Sequence, residues 1–297
     1  MKVGVIRNAL SGRGRGGRAW ADVETKLRAR LGSQLCCVEA TQASGSGASQ
    51  ASAMSDKGID IIVAAGGDGT ISDVMQGVLG TDSALAILPM GTGNDFARTL
   101  GLLDLDGAID AIASGTIKAI DVGQWRQAGK QGHFLNVAGC GFDACVAERV
   151  NTGFRCLHGQ AAYAAAILQV LRSYRSLQLS IEVDGERMEQ KAMLCAIANA
   201  QSYGGGIRVA PTASLTDGLL DLVLVGDLGR LEFLKSFPQV LRGSHLKHPK
   251  VFHRRFRDLK LSSSPPSPIL MDGELLPTGE VEIQVLPLAL RIIVPDS

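Results

Sequence analysis

No run of about 18 apolar residues, the length a membrane-crossing helix needs, occurs in this 297-residue chain. The longest candidate, around 161–171, is shorter and contains Tyr163 and Gln169. Membrane contact is therefore expected to be peripheral. No C-x-x-C pair occurs among the six cysteines, Cys36, Cys37, Cys140, Cys145, Cys156 and Cys195. That argues against a zinc site and for reduced, mostly buried thiols in a cytosolic protein. The formal charge is only +1, so the bulk balance gives no case for nucleic acid. No internal repeat is visible. The opening residues MKVGVIRN read as a first strand, because their apolar stretch is too short for a signal peptide.

Apolar residues make up 45% of the chain, enough for a real core, and the length suits two domains. The first 120 or so residues alternate short apolar runs with helical patterns. Strands are expected at 3–6, 35–38, 59–64 and 84–88, with helices near 17–31 and 44–55. Such alternation implies βαβ units and a parallel sheet, whose ligands bind at the carboxyl ends of the strands. From Asp121 onward strand signals dominate, at 177–183, 188–198, 219–225, 251–261 and 281–286. Helices are expected at 159–174 and 230–241. The expected division is an α/β nucleotide-binding domain over 1–122 and a mostly antiparallel β domain over 123–287. A last strand, about 288–297, returns to the first domain.

Three loops in the first part carry chemistry. SGRGRGGRA (11–19) spells Gly12-x-Gly14-x-x-Gly17, with Glu39 about 20 residues on. Five residues separate the strand from Gly12, which is wrong for a dinucleotide turn. The lysine and hydroxyl positions of a P-loop hold Arg18 and Ala19. A phosphate contact or a plain flexible loop remains. GGDGT (66–70) and PMGTGNDFA (89–97) each follow a strand and therefore leave the same sheet edge. Both offer backbone N–H groups, a threonine hydroxyl and an aspartate, Asp68 and Asp95. Asp121 ends the next segment. Three carboxylates near a phosphate-binding edge repel one another unless a cation lies between them. Mg²⁺ suits hard oxygen ligands and phosphates.

GGDGT, GTGNDFA and a later DGE together resemble the diacylglycerol kinase catalytic-domain family, which includes soluble bacterial lipid kinases and relatives of the sphingosine and ceramide kinases. GGDGT alone also occurs in NAD kinases and phosphofructokinases, so GTGNDFA is the discriminating piece. The resemblance implies that Gly66, Gly67, Asp68, Gly69 and Thr70 bind ATP phosphates. Gly91, Thr92, Thr41, Asn8 and Ser11 assist, with Ala9 standing where the family has proline. Asp68, Asp95 and Asp121 would form a water-mediated Mg²⁺ network. In the loop 203–222 the family places a structural Mg²⁺ on Asp217 and the carbonyls of Ser214 and Leu219; a simple Thr-Asp-Gly turn reads equally from the letters. In MDGEL (271–275), Asp272 would be the general base and Glu274 its supporting acid. VDGER (183–187) spells the same Asp-Gly turn, and only position along the chain separates the two.

The resulting expectation is an ATP-dependent kinase of a lipid hydroxyl, most naturally diacylglycerol. ATP lies in a cleft between the domains, and the enzyme is cytoplasmic with peripheral membrane association during turnover. A homodimer is compatible with this. The alternatives are a kinase of a soluble substrate such as NAD, or a non-catalytic nucleotide- or lipid-binding module. The basic segment 242–260 is either a solvated face or a docking surface for an anionic bilayer. The helix at 159–174 reads as core rather than anchor.

Overall fold

The computed structural model of the chain describes residues 1–9, 15–43, 45–153 and 160–296. The chain divides into two compact units, Met1–Asp121 with Pro287–Ser297, and Val122–Leu286. Among the described residues no helix is long and apolar enough to cross a membrane.

Unit 1 is an α/β layer structure. Its elements run β1 (Val3–Arg7), α1 (Arg15–Leu31), β2 (Leu35–Ala40), α2 (Ser46–Asp56), β3 (Ile61–Gly66), α3 (Asp68–Val78), β4 (Ala84–Pro89), α4 (Asp95–Thr99), α5 (Leu105–Ser114) and the start of β5 (Thr116–Gln127). Parallel pairing gives the strand order β2-β1-β3-β4. Every residue of β3 is buried. This is the continuous apolar run expected of a parallel strand covered on both faces. Parallel strands all point one way, so the ends of β1, β3 and β4 bring Asn8, Gly66 and Pro89 to one edge.

Unit 2 continues with β6 (Lys130–Phe134), β7 (Val137–Gly141), α6 (Phe142–Asn151), α7 (Gln160–Leu171), β8 (Leu177–Val183), β9 (Glu186–Ala198), β10 (Leu220–Gly226), α8 (Arg230–Arg242), β11 (Val251–Phe256), β12 (Asp258–Ser264), β13 (Ile269–Met271), β14 (Glu274–Leu276) and β15 (Val281–Val294). Its strand pairs are antiparallel. β8 alternates buried and exposed residues along LQLSIEV, so one face meets the core and the other meets solvent. The core gathers Phe134, Leu179, Ile181, Leu222, Phe256 and Ile283, among others.

Several details correct the sequence reading. The expected strand 251–261 is two strands broken at Arg257, because Phe256 turns into the core while the Asp184 carboxylate takes the N–H groups of Arg257 and Asp258. The final segment is one strand, β15, running through Pro287. Val281–Gln284 pair with β12, and Ile292 pairs in parallel with Leu85 of β4. Of the five described cysteines only Cys140 and Cys195 are buried, and Cys36 is exposed. Cys36 lies on β2, a strand paired through β1 alone and partly open to solvent. Cys156 lies outside the described residues.

Candidate active site

Two glycine loops meet in unit 1. β3 ends at Gly66, and Gly67 starts α3 with no side-chain cap. The N–H groups of Thr70 and Ile71 close on the Gly67 carbonyl at 2.9 and 3.1 Å. Those of Asp68 and Gly69 stand at the open end of the helix, where backbone donors and the helix dipole favour a phosphate. A Cβ on Gly69 would meet nothing within 4 Å. The second loop packs directly on the first. Met90 donates its N–H to the Gly66 carbonyl at 2.9 Å. A Cβ on Gly91 would stand 2.4 Å from the Gly67 Cα. Asn94, in the left-handed region at φ 51°, closes its own loop: its Oδ1 accepts from Gly91 N at 2.9 Å, and its Nδ2 donates to Gly91 O at 3.1 Å.

The other expected contacts of unit 1 fall around this contact. Asn8 donates from its backbone to Ala65 O (3.0 Å) and from Nδ2 to Thr70 Oγ1 (3.2 Å). This ties the end of β1 to the start of α3. A Cβ on Gly66 would stand 2.4 Å from that same Thr70 oxygen. Thr41 follows β2, its N–H bonded to Arg7 O at 2.9 Å, and Thr92 is exposed at the loop tip. Ser11, Gly12 and Gly14 lie outside the described residues. Gly17 falls within α1.

Asp68 and Asp95 face one spot. A Cβ on Gly93 would be 3.1 Å from Asp68 Oδ2 and 3.5 Å from Asp95 Oδ2. Asp68 Oδ1 accepts from Phe96 N at 3.1 Å, and Asp95 is bridged by Arg98 at 3.0 Å. Asp121 is fully buried, and its Oδ1 accepts from Leu288 N at 2.8 Å. Among the described residues no three His, Cys, Asp or Glu side chains are placed to hold a metal directly. Mg²⁺ still fits this edge as a partly hydrated ion. Two hard oxygen groups flank a glycine cradle, and such ions keep several waters and share phosphate oxygens.

In unit 2 the loop before β10 supplies the second expected metal position. Asp217 Oδ1 accepts from Leu219 N at 3.2 Å, and Oδ2 lies 3.6 Å from Arg255 Nη1. Ser214 Oγ accepts from Thr216 N at 3.3 Å. The donors are hard oxygens, but a cation there would share Asp217 with Arg255. Close by, Asp221 is 1% exposed. It accepts from Thr212 at 3.1 Å and lies 2.6 Å from His253 Nε2.

Asp272 opens the two-residue turn between β13 and β14, with Asp272 at φ 46° and Gly273 at φ 94°. This is the left-handed pair that a tight hairpin requires. Its Oδ2 accepts from Leu135 N at 2.7 Å, and its Oδ1 accepts from Asn136 N at 2.8 Å and Val137 N at 3.1 Å. Asn136 beside it is buried, and its Oδ1 has no partner among the described residues. Glu274 is exposed on β14. The Asp184–Gly185 turn repeats the device at φ 47° and 84°, with Asp184 Oδ1 accepting from Arg257 N and Asp258 N at 2.9 and 3.1 Å. Both turns are built alike, but Asp184 is exposed, while Asp272 is half-buried beside an unpaired amide oxygen.

Unit 2 also carries an apolar pocket, partly open to solvent and with a cavity volume of about 90 Å³, among α6, α7 and α8, walled by Phe142, Val146, Tyr163, Ile167, Phe233 and Phe237. Few polar side chains break this lining. Asp143 accepts from Ala144 N at 2.8 Å and from Tyr203 Oη at 3.4 Å. Burial pushes its carboxyl up to about 7, against those bonds. His245 donates from Nε2 to Val209 O at 2.8 Å, while its buried Nδ1 has no partner among the described residues. Burial pushes this imidazole down. The sequence reading missed Asn136, Asp143 and His245. The available signal was GCGFD, a strand ending in two glycines and a helix opening on Phe-Asp.

Comparison with known proteins covers both halves. Residues 2–125 match the diacylglycerol kinase catalytic domain, and residues 136–294 match the YegS C-terminal NAD kinase beta sandwich-like domain. A diacylglycerol kinase of Mycobacterium tuberculosis (strain CDC 1551 / Oshkosh) is 32% identical over 99% of this chain and 95% of its own length. A diacylglycerol kinase of Bacillus subtilis (strain 168) is 33% identical over 72% of this chain and 71% of its own. A solved structure from Bacillus anthracis str. Sterne superposes with a TM-score of 0.78 at 25% identity, covering 99% of this chain and 96% of that one. The fold is thus an N-terminal α/β layer followed by a mostly antiparallel β domain, as the motifs imply. With each half matched and relatives aligned along nearly the whole length, the chain belongs to the diacylglycerol kinase family, a family of lipid kinases.

Proposed function

We propose that this chain transfers the γ-phosphate of ATP to the free hydroxyl of a membrane glycerolipid, with diacylglycerol the first candidate. The observation that carries the nucleotide half is the Gly67–Gly91 contact at the uncapped start of α3. That contact packs the two loops together, and the open space beside Gly69 leaves room for a phosphate to approach the backbone. The apolar cavity of unit 2 supports the lipid half, since a soluble dinucleotide would find almost no polar partner in it.

In this reading Gly66, Gly67, Asp68, Gly69, Thr70, Gly91 and Thr92 hold the phosphates, with Asn8, Ser11 and Thr41 beside them. Asp68, Asp95 and Asp121 would hold Mg²⁺ through water, and Asp217 with the carbonyls of Ser214 and Leu219 would hold a structural ion. Bound Mg²⁺ neutralises charge on the transferred group. Asp272 accepts the lipid hydroxyl proton as the new O–P bond forms and the bond to the β–γ bridging oxygen breaks, releasing ADP. Glu274 supports it. A carboxylate suffices, because the proton leaves only as the bond forms and positioning does most of the work. The enzyme meets the bilayer peripherally.

The test is transfer of label from γ-labelled ATP to a panel of lipids in detergent micelles, with NAD as control. Label is expected in diacylglycerol or a related lipid. Label in NAD alone overturns the reading.

A further inference from the structure

Helix α8 has a second apolar face that the rest of unit 2 leaves uncovered. No residue of the helix is buried. Phe233, Phe237 and Val240 look into the apolar cavity. Leu231, Leu234 and Leu241 are instead 75%, 45% and 50% exposed. At 3.6 residues per turn these three and Pro238 fall within about 80° of arc, away from the cavity face. Arg230 borders this stripe on one side, and Lys235 and Arg242 border it on the other. None of the three cations makes an ion pair or hydrogen bond with a described residue. The one acid of the helix, Glu232, is engaged off the stripe by Lys250 at 2.7 Å.

We propose that α8 is the surface by which this enzyme lies on an anionic phospholipid bilayer. Leu231, Leu234 and Leu241 enter the acyl boundary, and Arg230, Lys235 and Arg242 meet lipid phosphates. An apolar stripe flanked by cations is the pattern of a helix lying in the interface plane, and long cationic side chains can reach out to the headgroups. A second copy fits less well. A two-fold contact through this stripe would set its unpaired cations against their own duplicates. The choice of a bilayer rests on the lipid-kinase reading, since such a substrate resides there. The apolar pocket of unit 2 lies behind the same helix.

The test is co-sedimentation of the full chain with phosphatidylcholine vesicles, with and without phosphatidylglycerol. The wild-type chain is expected to bind the anionic vesicles. Leu231→Gln/Leu234→Gln/Leu241→Gln should lower that binding at least about tenfold, and Arg230→Gln/Lys235→Gln/Arg242→Gln should lower it comparably on anionic vesicles only. Both variants should melt like wild type and retain its turnover on a dissolved short-chain diacylglycerol. Unchanged vesicle binding in the leucine variant overturns the proposal, as does conversion of a dimer to a monomer with vesicle binding intact. Leucine-dependent vesicle binding without phosphorylation of any lipid supports the surface and removes the kinase reading instead.

Discussion

Gly67 and Gly91 touch backbone to backbone: a methyl group on Gly91 would stand 2.4 Å from the Gly67 Cα. Neither partner has a flexible side chain that could give way. Gly91→Ala should therefore cost about 1–3 kcal/mol by overpacking and lower the melting temperature by about 3–10 °C. Gly69→Ala is the contrast, because a Cβ there meets only open space. It should hold or raise stability, by up to about 1 kcal/mol for a helical Gly→Ala. ATP binding should nonetheless weaken about tenfold or more, a loss of at least 1.4 kcal/mol. Thermal melts with ATP titrations separate the two. Unaltered ATP affinity in Gly69→Ala would remove the phosphates from this helix end.

Asp68 and Asp95 converge on Gly93, and among the described residues no third acid stands with them to hold a metal directly. A metal held through water depends on such outer carboxylates by about 10–100-fold in affinity. Asp68→Asn and Asp95→Asn should each raise the Mg²⁺ concentration for half-maximal turnover by about that factor, while saturating Mg²⁺ restores part of the rate. A magnesium titration of turnover checks this; identical titration curves would contradict it.

Asp143 gives a pH signature of its own. Burial raises its folded-state value from 3.8 to about 7, so between these limits the folded chain holds a proton that the unfolded chain has lost. The protonated carboxyl's contribution is fully present below about pH 3.8 and lost as pH rises through about 7. Asp143→Asn cannot ionise. Its stability relative to wild type should therefore rise by about 2–3 kcal/mol between pH 5 and pH 8. Urea denaturation of both proteins at both pH values measures it. A constant difference would mean the carboxyl is not held neutral.

The parallel sheet and its glycine loops were legible because local chemistry specifies them. A fully buried strand reads as an unbroken apolar run, and a turn that lets a ligand near the backbone needs glycine. Asn94 and Asp272 were legible as motif letters, but not their backbone: each takes a left-handed conformation to place its side chain on neighbouring N–H or C=O groups. The cavity was not legible. Asp143 on α6, Tyr203 in a loop and His245 after α8 meet only through long-range packing, and no local period carries that. The break at Arg257 was hidden for the same reason, since the group that causes it, Asp184, lies 73 residues away.

Asp272 and Asp184 occupy matching turns, so one can serve as the control for the other. Asp272 accepts through both oxygens, so an amide there leaves an N–H without its acceptor, at about 1–3 kcal/mol, whereas the exposed Asp184 accepts both of its N–H groups through Oδ1, which an amide retains. Only Asp272 is assigned the proton. The decisive measurement is kcat for lipid phosphorylation together with the ATP dissociation constant, in Asp272→Asn and Asp184→Asn side by side. The expected result is a loss of about 10²–10⁴ in kcat for Asp272→Asn alone, with ATP affinity at the wild-type value in both. Loss of ATP binding in Asp272→Asn, or a kcat no lower than that of Asp184→Asn, would contradict the assignment.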